Sequence, residues 1–106
     1  MPIGVLQMMP EGSAELYERV GERMFGTRSS SFSSDQAPDG LIMHSAGPME
    51  DGGWYVYDIW ESQAHLDRFV QERLMPALKE LGAPPGEPPQ VYEIHNLVVT
   101  DRVPSA

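Results

Sequence analysis

The order in which the apolar patterning changes its period is what most limits the folds open to this 106-residue chain. Residues 3–9 (IGVLQMM) form a short apolar run closed by Pro10, with the length and texture of a central strand. Ser13 then stands as a helix N-cap with Glu15 in the first turn, and Leu16, Tyr17, Val20 and Met24 recur at helical spacing up to Phe25 and Gly26. Gly21 weakens this helix, since an interior glycine costs about 1 kcal/mol against alanine. Residues 40–47 and 54–60 read as two strands of a hairpin, joined by a turn over residues 48–53. Ser62 caps a second helix, whose stripe of Leu66, Phe69, Val70, Leu74, Leu78 and Leu81 ends at Gly82. Pro76 lies inside that stripe and is predicted to kink or divide the helix near Met75, because proline lacks an N–H and crowds the preceding turn. A stiff linker, residues 82–89 (GAPPGEPP), leads to a last strand over residues 90–100. The serine-rich stretch 27–38 is predicted to be a mobile loop, and residues 101–106 a polar, frayed tail.

The resulting order, β-α-β-β-α-β, is the split βαβ arrangement of an α+β, ferredoxin-like domain spanning residues 1–106. Its four-stranded antiparallel sheet carries both helices on one face and leaves the other bare. A hydrophobic share of 41% makes a thin core at this size, and a bare apolar face has to be covered. A second copy of the chain is the simplest cover, so a homodimer is expected. The net charge of −9 repels phosphate backbones and anionic lipid surfaces, which argues against nucleic acid and membranes as partners. There is no cysteine, no apolar run long enough to span a bilayer and no basic-then-apolar leader, so the expected location is cytoplasmic.

Strand side chains alternate between two faces. One set holds Ile3, Val5 and Gln7 with Ile42, His44 and Ala46; Trp54, Val56, Asp58 and Trp60; and Val91, Glu93, His95 and Leu97. The other holds Leu6, Met8, Leu41, Met43, Tyr55, Tyr57 and Ile59, then Tyr92, Ile94, Asn96 and Val98. The second set is nearly all apolar or aromatic, which suits the helix-covered face. The first, with most of the polar groups, would then line the opposite face, where a partner subunit and a cavity meet. A bulge would invert part of this division.

In this topology strands one and three are central, which brings Gln7 near Asp58, His44 beside Asp58 and His95 beside Gln7. A carboxylate next to a histidine holds its tautomer and favours its protonated form, so His44 or His95 with Asp58 reads as a general base. Gln7, Trp54, Trp60 and Glu93 would meet a small-molecule ligand, the tryptophans as aromatic walls or as interface anchors. Each histidine could equally bond a neighbouring strand. A metal shared by His44, His95 and Asp58 is not expected, because the outer strands lie three spacings of roughly 4.8 Å apart. His65 is placed on the exposed side of the second helix. No metalloprotease, phosphate-loop or dinucleotide motif occurs.

The segment Gly40-Leu-Ile-Met-His-Ser-Ala-Gly47, then Gly53-Trp-Tyr-Val-Tyr-Asp-Ile-Trp-Glu-Ser62, resembles the antibiotic biosynthesis monooxygenase-like family. The strand end Asp58-Ile-Trp60-Glu-Ser62, running into a helix with Phe69, is similar to that family's acidic-x-Trp-Glu-Ser transition. The resemblance covers residues 3–100 through about twenty positions. It implies a dimeric α+β barrel with cavities between sheet and helices, and an activity among cofactor-free oxygenases of polycyclic phenols and quinols or haem-degrading enzymes. Haem-degrading members use an Asn on the first strand with a Trp and a His on the second helix. The corresponding positions here, Gln7 or Met8, Phe69 and Lys79, depart from that set. The expected function is thus a cofactor-independent monooxygenase acting on a phenolic or polyketide-like molecule in a homodimer cavity, with no cofactor and no metal. Two alternatives stand beside it: a cofactor-free cyclase or isomerase of a biosynthetic intermediate, and a non-catalytic small-molecule-binding or structural dimer.

Overall fold

A computed structural model describes residues 1–26, 37–84 and 86–102. The expected mobile loop lies outside the described residues over 27–36, as do the last four residues of the tail. The elements are β1 (Ile3–Met9), α1 (Ala14–Phe25), β2 (Leu41–Pro48), β3 (Trp54–Trp60), α2 (Gln63–Phe69), a π-helical turn (Val70–Leu74), α3 (Met75–Leu81) and β4 (Gln90–Glu93). The strands form one antiparallel sheet in the order β2-β3-β1-β4. This is the expected α+β, ferredoxin-like arrangement. Among the described residues no helix is long and apolar enough to cross a membrane.

The helix ends follow the sequence closely. Ser13 Oγ accepts from Leu16 N–H at 3.1 Å, and Gly26 closes α1 in the left-handed region at φ 79°. Ser62 Oγ caps α2 by accepting from His65 N–H, and Gly82 closes α3 at φ 62°. Pro76 does interrupt the second helix, but the adjustment falls before it. The Met75 N–H reaches back five residues to Val70 O, which makes the turn over Val70–Leu74 wider than an α-turn. That widening gives the proline ring room against the preceding carbonyls, so the axis continues into α3.

The last strand is shorter than expected, Gln90–Glu93 rather than residues 90–100. The register gives the reason. Gln90 pairs with Leu6 and Glu93 with Ile3, after which Ile94 N–H bonds Pro2 O at 3.0 Å. Beyond that β1 has no residues left to pair. His95 therefore sits past the start of β1, several residues from the Gln7 end it was expected to neighbour.

The assignment of faces is reversed. The helix-covered face carries Ile3, Val5 and Trp60, packed with Leu66 of α2 and flanked by Leu41, Phe69 and Val70. His44, Asp58, Trp54 and Val56 share that covered side. The bare side holds Tyr55 and Tyr57, against which side chains at Gly47 and Gly4 would collide. A bulge adds to the reversal. Leu41 pairs with Trp60 and Met43 with the adjacent Ile59, so Ile42 is the extra residue and Leu41 turns inward with Trp60. Trp60 is the most deeply buried large side chain, 1% exposed, and its ring lies 5.2 Å from that of Phe69.

At Gly40 (φ 87°) the backbone passes directly beneath His65, and a methyl placed there would run into the imidazole. His65 is half-buried over this glycine, not on an open helix surface as expected, and its Nδ1 lies 2.7 Å from Ser62 Oγ. Gly40→Ala is expected to lower stability by about 1–3 kcal/mol through strain and collision. Gly21→Ala, with nothing within 4 Å of the added carbon, is expected to raise it by about 0.5–1 kcal/mol. Thermal unfolding of the two variants measures both, and equal melting temperatures would contradict the packing described.

Candidate active site

The tightly packed core occupies one end of the space between sheet and helices. At that end Ile3 faces Trp60 across β1 and β3, with Leu66 beneath. Towards the other end, where Met9 pairs with Trp54, a cavity of about 990 Å³ lies between sheet and helices. Its walls include Val56, Trp54 and Trp60 from the sheet, Leu16 and Val20 from α1, and Phe69 and Leu74 from the second helical segment. The volume lies at the upper end of ordinary small-molecule sites. The described residues of the linker between α3 and β4, among them Ala83, Gly86 and Glu87, also line the cavity. Glu87 N–H bonds Met8 O at 3.0 Å, and Gln7 Nε2 donates to Glu87 O, which ties the strap to β1.

Into this apolar space β3 brings Asp58 and β2 brings His44, directly paired in register. His44 Nδ1 and Asp58 Oδ1 are 2.7 Å apart, with the two side chains 18% and 14% exposed. A carboxylate this covered needs a partner, and the imidazole supplies it. Because a carboxylate accepts, Nδ1 carries the hydrogen and Nε2 presents its lone pair. Tyr17 of α1 meets that lone pair: its hydroxyl is 2.5 Å from His44 Nε2 and donates to it. The two rings are nearly parallel and meet end to end, 7° apart with centroids at 6.0 Å, and the Trp54 ring lies 5.4 Å from that of Tyr17. The result is a row of three polar groups, Asp58, His44 and Tyr17, crossing from sheet to helix at the cavity wall.

Among the residues the sequence nominated, His44, Asp58, Gln7, Trp54 and Trp60 all line the cavity. Glu93 and His95 do not: both are exposed, Glu93 on the edge strand and His95 on the bend after it. His44 and His95 belong to opposite edges of the sheet. The amide nitrogen of Gln7 is committed to the strap, so its part at this wall is to hold the linker in place. Tyr17 was not nominated. Its helical spacing merged it with the apolar stripe, and the available signal was only that a phenol on such a face needs a polar partner when buried.

No family model matches the sequence, and no curated protein does so either. Solved structures with the same fold are found. Rv0793 from Mycobacterium tuberculosis matches at 17% identity and a TM-score of 0.63, over 93% of this chain and 100% of that one. SnoaB, a cofactor-independent oxygenase from Streptomyces nogalater, matches at 16% and 0.57, over 92% and 95%. A candidate antibiotic biosynthesis monooxygenase from Deinococcus radiodurans matches at 16% and 0.56, over 94% and 98%. The chain thus has the α+β fold of the antibiotic biosynthesis monooxygenase-like proteins. At these identities the likeness is one of fold, and the chemistry has to be argued from the site.

Burial, and secondarily the negative charge of Asp58, push the Tyr17 phenol above its ordinary value of 10.0. An ultraviolet titration is therefore expected to contain a late tyrosine component that Tyr17→Phe removes. The linkage has a definite sign. Unfolded Tyr17 ionises at the ordinary value and folded Tyr17 later, so its contribution to stability is whole below about pH 10 and is lost as pH rises through the folded value. An alkaline unfolding curve that is the same in wild type and Tyr17→Phe would contradict this.

Proposed function

We propose that the protein is a cofactor-independent monooxygenase acting on a phenolic or polyketide-like small molecule. The observation that carries this reading is the 2.7 Å bond between His44 and Asp58 at the wall of a large apolar cavity. A flat aromatic substrate suits walls that include Trp54 and Phe69. His44 would be the base that accepts the substrate's acidic proton, and Asp58 would hold the resulting imidazolium. The electron-rich anion would then react with dioxygen. At an activated ring CH₂ a C–O bond forms, the O–O bond of the hydroperoxide breaks, and one oxygen stays as the carbonyl. The other leaves as water with the two hydrogens of that carbon. The mainly apolar lining favours an anion that reacts with dioxygen over one that is merely hydrated. The same fold carries SnoaB, which is a cofactor-independent oxygenase.

The reading includes a homodimer in the cytoplasm. Its support is the bare side of the sheet, where Tyr55, Tyr57 and Ile59 are only part-buried in the single chain. A second copy would cover them, and sedimentation at micromolar protein is expected to show two copies. The bare side lies across the sheet from the cavity, so the partner's part would be to stabilise the sheet.

Dioxygen consumption with a panel of hydroquinones and anthrones tests the activity. His44→Ala is expected to slow turnover by about 10²–10⁴-fold. Asp58→Asn is expected to slow it as well, by leaving the imidazole in the wrong tautomer. His95→Ala, remote from the cavity, is expected to match wild type. If His44→Ala consumes dioxygen at the wild-type rate, the assignment of the base is wrong. Turnover that proceeds equally well without dioxygen would instead indicate an isomerase or cyclase.

A further inference from the structure

We infer that Tyr17, and not His44, is the group that touches the substrate hydroxyl, and that it passes the substrate's proton on to His44. This rests on the reading of His44 as the base and adds the route by which the proton reaches it. Both imidazole nitrogens are engaged: Nδ1 with Asp58 at 2.7 Å and Nε2 with the Tyr17 hydroxyl at 2.5 Å. A ligand cannot reach Nε2 unless the phenol is moved aside. Such movement would break the hydrogen bond to His44 and is opposed by the Trp54 indole, 5.4 Å from the Tyr17 ring. It is opposed also by the helix itself, which is capped at both ends by Ser13 and Gly26.

The phenol lines the cavity, and its oxygen accepts as well as donates. A substrate hydroxyl that donates to Tyr17 Oη completes a row of four groups ending at Asp58. In the transfer the substrate O–H bond breaks and its proton joins Tyr17 Oη. The proton already on Tyr17 moves to His44 Nε2. One proton has passed from substrate to imidazole, Tyr17 is again a neutral phenol, and no electron has changed hands. Burial suits Tyr17 to this part, since the phenol keeps its proton and works as a conduit that never has to persist as an anion.

The arrangement also narrows the substrate class. The acidic group must be a hydroxyl on a ring thin enough to lie beside Tyr17 and Trp54, which describes a phenol, a naphthol or the enol form of an anthrone.

The test uses 2-naphthol as the probe, because its anion has an absorbance band of its own and no dioxygen is needed to see it. Wild type is expected to bind it and to raise the ionised fraction at neutral pH. Tyr17→Phe keeps the ring against Trp54 and is expected to bind the probe while the ionised fraction falls by about tenfold, one unit of pKa. His44→Ala is expected to show the same loss. If Tyr17→Phe ionises the bound probe as wild type does while His44→Ala does not, the substrate meets His44 directly and the relay is overturned. A wild-type protein that leaves the probe neutral, or fails to bind it, overturns it too. If the probe ionises through Tyr17 yet no hydroquinone or anthrone consumes dioxygen, the relay stands and the oxygenase reading falls.

Discussion

The bond between Asp58 and His44 is the constraint on which the rest of the site depends. An aspartate in the middle of a central strand, under a helix, is costly unless its charge has a partner in the same dry space. The residue that β2 brings opposite it in the strand register is His44. Once that pair is made, the imidazole has one tautomer and one open nitrogen, and α1 must bring a donor to it. Tyr17 is that donor. Three elements that are far apart in the chain are thereby held in one hydrogen-bonded row, with little freedom for any member to turn.

A second constraint explains why the row faces empty space. At one end Trp60 packs with Ile3, Val5 and Leu66, and farther along α1 reaches the sheet again through Tyr17, against His44 and Trp54. The π-helical turn before Pro76 keeps the second helical segment continuous past the Trp60 end, so Leu74 and Leu78 reach over the cavity without closing on the sheet. The proline-rich strap, tied to β1 through Glu87, also lines the cavity. A hollow of this size forgoes dispersion and burial that a filled core would have gained. Such a loss is consistent with space kept for a ligand, and the packed Trp60 end offsets it.

Much of the fold could be read from the residues. The two helix starts are announced by Ser13 and Ser62, the helix ends by Gly26 and Gly82, and the hairpin by the turn residues between β2 and β3. Element order followed from these, and strand order from the split topology. The faces could not be read, for a definite reason. Alternation separates the strand residues into two sets but does not say which set lies under the helices. The choice rested on polar groups avoiding the covered side. That rule fails here because the polar groups satisfy one another: Asp58 with His44, and His44 with Tyr17. Tyrosines, for their part, tolerate a bare face, since their hydroxyls can stay wet. The bulge at Ile42 then put Leu41 on the same side as His44, three positions on, which simple alternation forbids.

The same reasoning separates the two candidate histidines. His44 and His95 look equivalent in sequence, each in an apolar strand and each with a plausible acidic neighbour. What distinguishes them is the length of the strand alongside. β2 is paired with β3 from Met43 to Pro48, so His44 lies within the ladder. β4 depends on β1, which begins only at Ile3, so pairing stops before His95 is reached. His95 is exposed on a bend and does not line the cavity, so it is not placed beside a bound molecule there. Strand pairing thus leaves His44, and not His95, at the cavity wall, between Asp58 of the sheet and Tyr17 of the helix.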